Sequence, residues 1–274
     1  MAYAYATTNL LAGLAAASFT PTGGPSDATR SYLNDSRMDK RYAFNATAST
    51  VTMAFDLGSA QTVAGVAVLN SNIASAVAGL FVLQGATDAA FTAGLTTAYS
   101  RGSVNVVAPR NKDHVIQIVA VSKRYWRVVF QWTGTFTLSV GEFFLYGAPT
   151  VLTRGSVYGS GESEEYFDVA NEMMYGDSRA YLLGGPRRSK HLRFSDFSAT
   201  DKAEHRALWG ATRGRVTPLL WIEKYDAFTD SSDEAQECIF GRLWNPSWQW
   251  TQDDYGVYQP SELEIRSLGR EVGA

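Results

Sequence analysis

One segment in the first half of the chain concentrates side chains suited to binding a sugar. These side chains are Tyr32, Asn34, Asp35, Arg37 and Arg41, with Asp39 between the last two. A sugar site usually combines an aromatic ring, which stacks on the apolar face of the sugar, with planar polar groups that pair with its hydroxyls. We therefore predict a glycan-binding loop here, with a solvated rim loop as the alternative, because the later segment 70–76 lacks any aromatic residue.

The same loop offers oxygen atoms that suit a hard cation. Asp35, Asp39 and backbone carbonyls together provide the ligand type that Ca²⁺ prefers. The spacing of an EF-hand is absent. We therefore predict no bound metal or other cofactor and leave a Ca²⁺ ion in this loop as an open alternative.

A second group of candidate residues lies in the last third of the chain and is suited to subunit contact. It comprises the tryptophans Trp244, Trp248 and Trp250 and the basic residues Arg187, Arg188 and Lys190 of a predicted turn. Large aromatic side chains dominate the energetics of many protein interfaces. We predict that the tryptophans form core or subunit interface, with stacking on a sugar as the alternative, and that the basic turn meets an acidic surface of a neighbouring subunit.

Residue types that could break bonds are present without the spacing that catalysis needs. The histidines His114, His191 and His205 form no HExxH motif, and no G-x-S-x-G motif occurs. The single cysteine, Cys238, sits at the start of an apolar strand and reads as a core residue. We predict a protein that is not an enzyme.

A hydrolase that uses carboxylates of the second half remains an alternative. The pairs Asp253–Asp254 and Glu262 with Glu264 could be arranged as the two acids that a glycosidase needs. The first pair reads better as a hairpin turn and the second as one solvated strand face.

Composition excludes several classes of partner. The chain has 274 residues, 45% of them hydrophobic and 19% charged, and a net charge of -3. This composition is typical of a folded protein, and the acidic balance argues against nucleic acid as a partner. The longest early apolar run, 10–19, is too short to span a membrane, and the first basic residue is Arg30, so we expect neither membrane insertion nor a signal peptide.

Composition also changes abruptly near Gly147–Thr150. Residues 1–149 contain 10 basic and 7 acidic residues (+3), whereas residues 150–274 contain 14 basic and 20 acidic residues (-6). We predict two domains, residues 1–148 and residues 149–274. The predicted fold class is all-β with one short helix.

Alternating and apolar runs separated by turn residues predict strands throughout the first domain. The predicted strands cover residues 51–58, 63–70, 80–87, 114–121, 125–132 and 136–147. In the second domain, a Ser198-x-x-Asp201 capping pattern predicts a helix that ends at Gly210. Its inward side is predicted to consist of Ala203, Ala207, Leu208 and Trp209.

The first domain resembles the discoidin, or coagulation-factor type C, galactose-binding-like jelly roll. The residues that carry the resemblance are Asp56-Leu57-Gly58, Arg124-Tyr125-Trp126-Arg127, Glu142 and Tyr146-Gly147. The resemblance implies a jelly-roll sandwich that binds sugars or lipid head groups through loops at one end. From the residues themselves, we expect Asp56 to cap the turn at Gly58 and Arg127 to pair with Glu142 as a structural pair.

The second domain is similar to the distal-tail and tail-tip ring proteins of long-tailed bacteriophages. The motifs are the predicted helix with its following strand, 201–225, the strand CIFGRLWN, 238–245, and the strand LEIRSL, 263–268. The resemblance implies a small β-barrel that forms a ring of three- or six-fold symmetry around a tail axis. This interpretation predicts a structural virion protein of the tail tip or baseplate, assembled in the host cytoplasm, whose first domain contacts neighbouring tail proteins or attaches to host-surface glycan. The alternative is a monomeric carbohydrate-binding module of a secreted or cell-surface protein.

Overall fold

The structure is a computed structural model, and the residues that it describes form two units rich in β-strand. It describes residues 3–36, 40–45, 49–72, 80–101, 114–132, 135–153, 161–165, 168–172, 178–182, 187–194, 197–214, 216–223, 238–244, 250–252, 258–260 and 262–268. The first unit comprises residues 8–150 and 226–238, and the second comprises residues 1–7, 151–225 and 239–274. The described residues contain nineteen strands and one α-helix, which confirms the predicted fold class.

The amino terminus belongs to the second unit, whereas the sequence led us to place residues 1–148 together. Strand β1 (Tyr3–Ala6) pairs antiparallel with strand β15 (Leu219–Ile222). The ring of Tyr3 also lies 5.3 Å from the ring of Trp221, measured between centroids. Long-range pairing of this kind leaves no trace in local composition, so the composition break alone does not show it.

The first unit is built from antiparallel strands on two sheets that share one core. Its strands are β2 (Phe19–Thr22), β3 (Tyr42–Ala43), β4 (Thr50–Leu69), β5 (Leu80–Ala86), β6 (Thr96–Arg101), β7 (His114–Gln131), β8 (Ser139–Val140) and β9 (Glu142–Tyr146). The larger sheet has the order β2-β4-β7-β5-β6, with β9 also paired to β4, and β3 pairs with β8 in the smaller one. The core contains residues of both sheets.

Strand β4 is one long irregular strand where the sequence predicted two. Val51, Met53 and Phe55 are buried on one face, as the alternation predicted. The pairing with β7 then shifts register between Asp56 and Gln61. Asp56 Oδ1 accepts a hydrogen bond of 2.8 Å from the backbone N–H of Gly58, whose φ is 77°. The predicted turn is therefore confirmed, but as an irregularity inside a continuing strand.

The predicted pair between Arg127 and Glu142 is wrong. Arg127 Nε donates to Gln84 Oε1 at 2.7 Å, and its guanidinium lies 4.4 Å from the ring centroid of Phe91. The arginine of this strand that does bind a carboxylate is Arg124, which donates two hydrogen bonds of 2.8 and 2.9 Å to Asp56. Arg127 lies on β7 and Glu142 on β9, and these strands flank β4 on opposite sides, so their residues are not cross-strand neighbours.

The second unit contains a seven-stranded sheet. Its remaining strands are β10 (Thr150–Leu152), β11 (Gly161–Glu165), β12 (Asp168–Glu172), β13 (Ser178–Leu182), β14 (Arg187–Leu192), β16 (Cys238–Leu243), β17 (Trp250–Gln252), β18 (Tyr258–Pro260) and β19 (Leu263–Ser267). The sheet order is β10-β1-β15-β16-β19-β14-β11, and β12-β13 and β17-β18 form separate ribbons. Among the described strands, β10 and β11 stand at the two ends of this order, so closure into a barrel stays a prediction. The residues predicted as a basic turn lie in strand β14 instead.

The α-helix, α1 (Ala199–Thr212), begins as predicted and buries a different face. Ser198 and Asp201 form the reciprocal capping box. The helix continues past Gly210 and is capped by Arg213 in the left-handed conformation. Its buried residues are Asp201, His205, Leu208 and Thr212, and Leu208 is the one member of the predicted inward side among them. This 14-residue helix is too short to cross a membrane, and no described helix is long and apolar enough to do so.

His205 is expected to make the second unit sensitive to acid. Its imidazole is buried between the rings of Phe194 and Phe197, at centroid distances of 4.7 and 4.4 Å. Burial lowers its pKa from 6.5 to about 4, against the opposing charge of Asp201. The folded state therefore resists protonation, and stability is lost as the pH falls from 6.5 toward 4, by roughly 3 kcal/mol in total.

We expect His205→Phe to remove this loss, because phenylalanine fills the same space without a proton to gain. Hydrogen exchange of helix α1 at pH 4.5, 5.5 and 7 measures it for this unit alone. The control variant His191→Gln removes a half-exposed histidine and should keep the acid sensitivity of the natural chain. Equal acid sensitivity in His205→Phe would contradict the assignment.

Candidate functional site

The predicted glycan loop begins at a short 3₁₀-helical turn, Ala28–Leu33. Asp27 caps the turn, because its carboxylate accepts a hydrogen bond of 2.9 Å from the backbone N–H of Thr29. Arg30 Nη1 donates to the carbonyl of Phe19 at 2.7 Å, which ties the turn to strand β2. Leu33 is buried in the core. The turn therefore holds Tyr32, which precedes Leu33, in a defined position at the edge of the first unit.

Asn34 acts within the protein and helps to position the loop. Its Nδ2 donates hydrogen bonds to the carbonyls of Leu11, at 2.6 Å, and Leu14, at 3.1 Å. These bonds hold the loop against the segment that precedes strand β2. Of the predicted site residues, Asn34 thus has an evident structural task, and Arg37 lies outside the described residues together with Asp39.

Tyr32 forms an aromatic surface with a cation above it. Its side chain is partly exposed, and Lys40 Nζ lies 4.7 Å from the centroid of its ring. A lysine in this position is attracted by the negative face of the ring. Lys40, which directly precedes Arg41, is not among the residues predicted for this site.

Arg41 is oriented by a second loop, the segment 70–76 that lacks an aromatic residue and is described for residues 70–72. Its Nη2 donates a hydrogen bond of 2.8 Å to Oδ1 of Asn70, which is fully buried and has φ of 48°. Gly141 lies directly against Asn70. A Cβ added to residue 141 would be 2.9 Å from the Cβ of Asn70, so a side chain at position 141 is excluded. The donors of Arg41 are therefore held in a fixed place.

The second loop is itself anchored, as far as it is described. Asn72 and Ser139 exchange two hydrogen bonds, one of 3.2 Å between backbone atoms and one of 2.8 Å to Asn72 Oδ1. Asn72 Nδ2 also donates to the carbonyl of Thr137 at 2.9 Å. The residues that follow, 73–79, lie outside the described part. Asn70 and Asn72 thus fix the start of this loop to the segment before strand β9.

Glu142 lies beneath the loops as a buried carboxyl group. Asn9 Nδ2 donates to its Oε1 at 3.0 Å, whereas Oε2 is buried and accepts no hydrogen bond from the described residues. Burial raises its pKa to about 8, with a smaller contribution from the negative charge of Asp35, against Asn9 and the backbone N–H of Ser36. Glu142 is therefore largely protonated at neutral pH.

This carboxyl group connects the parts of the site. Asp35 is exposed and close enough to influence Glu142. Glu142 pairs with Leu69 across strands β9 and β4, next to Asn70, which holds Arg41. Residues 32–36, 40–41, 70–72 and 139–142 therefore meet at one end of the sandwich. The structure brings Asp35 and Arg41 to this end, with Tyr32 and Lys40 on the same loop.

Asn9 was missed by the sequence analysis and supports this end of the unit. Its side chain accepts hydrogen bonds of 3.0 Å from the backbone N–H groups of Leu11 and Leu145 and donates to the carbonyl of Phe143 as well as to Glu142. Apart from Leu11, its partners lie more than 130 residues away in the chain, and no local pattern identifies such a residue.

The residues predicted as a subunit interface behave differently from one another. Arg188 is buried, with its backbone N–H donating to Ser267 Oγ at 2.8 Å. Lys190 Nζ lies 2.6 Å from Glu223 Oε1, and both side chains are almost fully covered, so the charge of Lys190 is met within the unit. Trp244 is 40% exposed. The side chains of Arg187, Trp248 and Trp250 lie outside the described part, and the interface stays a prediction.

The carboxylates considered for hydrolysis contact basic side chains where they are described. Glu262 contacts Nδ1 of His191 at 3.2 Å and Arg193 at 3.7 Å. Glu264 pairs with Arg266 at 2.5 Å. Asp253 and Asp254 lie outside the described residues. Within the described ranges, no three histidine, cysteine or acidic side chains are grouped so that they could hold a metal ion.

Comparisons with known proteins find similarity among solved structures only. No protein-family model matches the chain, and no curated protein matches it. A chitosan-binding module from a chitosanase/glucanase of Paenibacillus sp. IK-5 is 23% identical, with 51% of this chain and 99% of that chain covered and a TM-score of 0.41. The CBM32 module of AlyQ, in complex with 4,5-unsaturated mannuronic acid, is 23% identical, with 47% and 94% covered and a TM-score of 0.38.

A third similar structure comes from Clostridium perfringens. The module CpGH89CBM32-6 is 12% identical, with 52% of this chain and all of that chain covered, at a TM-score of 0.38. The similarity thus extends over about half of this chain. Nothing in these comparisons supports the resemblance of the second half to phage tail-tip proteins.

Proposed function

We propose that the first unit is a carbohydrate-binding module whose glycan lies on the loop surface around Tyr32, Asp35, Lys40 and Arg41. The observation that carries the proposal is the guanidinium of Arg41, held at 2.8 Å by a buried asparagine at the end of the sandwich where the partly exposed ring of Tyr32 is also placed. A donor group that is fixed before the ligand arrives loses little conformational freedom on binding. This end of the unit is therefore prepared for a polar ligand.

The chemistry of these side chains matches a sugar ring. The ring of Tyr32 offers an apolar face for the C–H groups of a sugar. Arg41 and Lys40 supply donors for hydroxyl oxygens, and the exposed carboxylate of Asp35 supplies an acceptor for hydroxyl protons. A ligand with adjacent hydroxyl groups can accept a hydrogen bond from Arg41 or Lys40 and donate one to Asp35 at the same time. These contacts bind the ligand and require no catalytic step.

The tail-tip role predicted from the second half does not enter this proposal. Ring assembly, contacts with other tail proteins and a place in the virion rest on the sequence resemblance alone. The proposal keeps the part of that interpretation that both alternatives share, namely a glycan-binding first unit.

A glycan array followed by calorimetry of the intact chain tests the proposal. We expect at least one glycan to bind, and we expect Tyr32→Ala and Arg41→Gln each to weaken it about tenfold or more, because each removes a principal contact. Gln61→Ala is the matched control, since Gln61 is exposed on strand β4 and far along the strand from Asn70. Binding of a glycan with the same affinity by all three variants, or no binding of any glycan, contradicts the proposal.

A further inference from the structure

The outward face of strands β16 and β19 carries two arginines side by side. Arg242 lies directly opposite Arg266 in the antiparallel pairing. The alternation of the strands places both on the face opposite to the buried residues Leu243 and Ile265. Two like charges in this position repel each other and reduce the stability of the sheet.

One acidic side chain balances one of these two arginines. Arg266 Nε lies 2.5 Å from Glu264 Oε1, two residues away on the same strand. Arg242 is exposed and makes no hydrogen bond or ion pair with any residue of the described part of the chain. Among the described residues, Glu264 is the one acidic partner of this arginine pair, so one positive charge of the pair is left unbalanced there.

A tryptophan lies next to this charge on the same face. Trp244 follows Arg242 by two residues, and its backbone N–H donates to the carbonyl of Glu264 at 2.8 Å. The guanidinium of Arg266 lies 4.3 Å from the centroid of its ring, and 40% of the residue is exposed. Residues two apart along a strand lie on the same face with their Cα atoms roughly 7 Å apart, so Trp244 and Arg242 are neighbours on this face.

We propose that this face is a second binding site, which takes a carboxylated sugar such as a uronic acid residue. The sugar ring stacks on the exposed part of Trp244, and its carboxylate binds between Arg242 and Arg266. A carboxylate there relieves the repulsion between the two guanidinium groups and provides the acceptor that their planar donors match.

A sugar acid fits this arrangement better than an acidic peptide does. An aspartate or glutamate side chain carries a carboxylate but has no rigid C–H face to cover the indole. A neutral sugar has the face but leaves the charge of Arg242 unbalanced. The uronic acid residue has both features. This site lies in the second unit and does not depend on the proposed site of the first.

Calorimetry of the intact chain with a galacturonic acid trimer and with its methyl ester tests the site. We expect the trimer to bind, the ester to bind at least about tenfold more weakly because it lacks the charge, and added salt to weaken the trimer. Arg242→Gln and Trp244→Ala are each expected to reduce the affinity for the trimer about tenfold. Arg206→Gln, which removes an exposed arginine of helix α1, is the control and should bind as the natural chain does.

The variants separate this site from the one in the first unit. Tyr32→Ala should leave binding of the trimer unchanged. Because Arg242 is exposed, Arg242→Gln is expected to fold, so it tests the site even if Trp244→Ala fails to fold. Failure of the trimer to bind, equal binding of trimer and ester, or unchanged binding by Arg242→Gln overturns the inference. Displacement of the trimer by an oligoglutamate peptide of equal affinity overturns it too, in favour of an acidic protein partner.

Discussion

Alanine in place of Gly65 is expected to destabilise the first unit by more than about 3 kcal/mol, because the new methyl group has no space to occupy. Gly65 lies within strand β4, and the buried ring of Tyr146 crosses directly over it. A Cβ at this position would overlap Oη and Cζ of Tyr146 and would come 2.5 Å from the carbonyl oxygen of Ile116. The ring could turn aside, but the carbonyl belongs to the backbone of neighbouring strand β7 and cannot.

Hydrogen exchange of strands β4 and β7 in the intact chain measures this effect on the first unit separately. Gly58→Ala, in the same strand, is the matched control. No atom lies within 4 Å of a Cβ there, so that only the left-handed backbone, with φ of 77°, opposes the substitution. We expect that control to cost about 1–2 kcal/mol. Protection in Gly65→Ala equal to that in the control would show that the packing of Tyr146 over β4 is described incorrectly.

Glu142→Gln is expected to change how the stability of the first unit depends on pH. The pKa of Glu142 rises from 4.5 in the unfolded chain to about 8 in the folded unit, mainly through burial. The stabilising effect of the protonated group is complete below pH 4.5 and is lost as the pH rises through 8. By linkage this loss reaches roughly 5 kcal/mol at most, because each unit of pKa corresponds to about 1.4 kcal/mol.

Glutamine keeps the shape of the protonated acid and has no proton to lose. Denaturant unfolding between pH 5 and 9 should therefore show falling stability for the natural chain and a flatter profile for Glu142→Gln, whatever the constant offset between them. Asp88→Asn is the control, since hydrogen bonds from Thr92 and Ala93 keep the pKa of Asp88 below its usual value and so outside this range. Parallel profiles for the natural chain and Glu142→Gln would show that Glu142 is ionised in the folded unit.

Local patterns predicted the strands and the turn chemistry of the first unit. The alternation of Val51, Met53 and Phe55 identified their buried face, and the Asp56–Gly58 pair identified a turn. Which strands become neighbours depends on the whole sheet, and local patterns do not contain it. The mistaken pairing of Arg127 with Glu142 arose in this way, since β7 and β9 lie on opposite sides of β4.

The helix shows a similar limit for packing. Alanine and tryptophan looked like the inward residues of helix α1 on grounds of polarity. The structure instead buries the stripe that contains Asp201 and His205, because the capping box satisfies the carboxylate and two phenylalanine rings receive the imidazole. A polar residue becomes a core residue when tertiary neighbours meet its needs, and sequence alone does not show those neighbours.

At the candidate site, the sequence identified the loop and not its supports. Tyr32 and Arg41 were selected from residue type and clustering. Asn9 and Asn70, which hold this end of the unit together, come from segments distant in the chain. Their supporting role depends on the pairing of strands β4 and β9. This pairing places Glu142, the partner of Asn9, opposite Leu69, which directly precedes Asn70.

The most direct test of the account is a crystal structure of the chain with a glycan selected on the array. We predict a sugar ring stacked on Tyr32, with at least one of its hydroxyl groups accepting a hydrogen bond from Arg41. A sugar bound to the first unit at any surface away from residues 32–41 and 70–72, with these loops unoccupied, would contradict it.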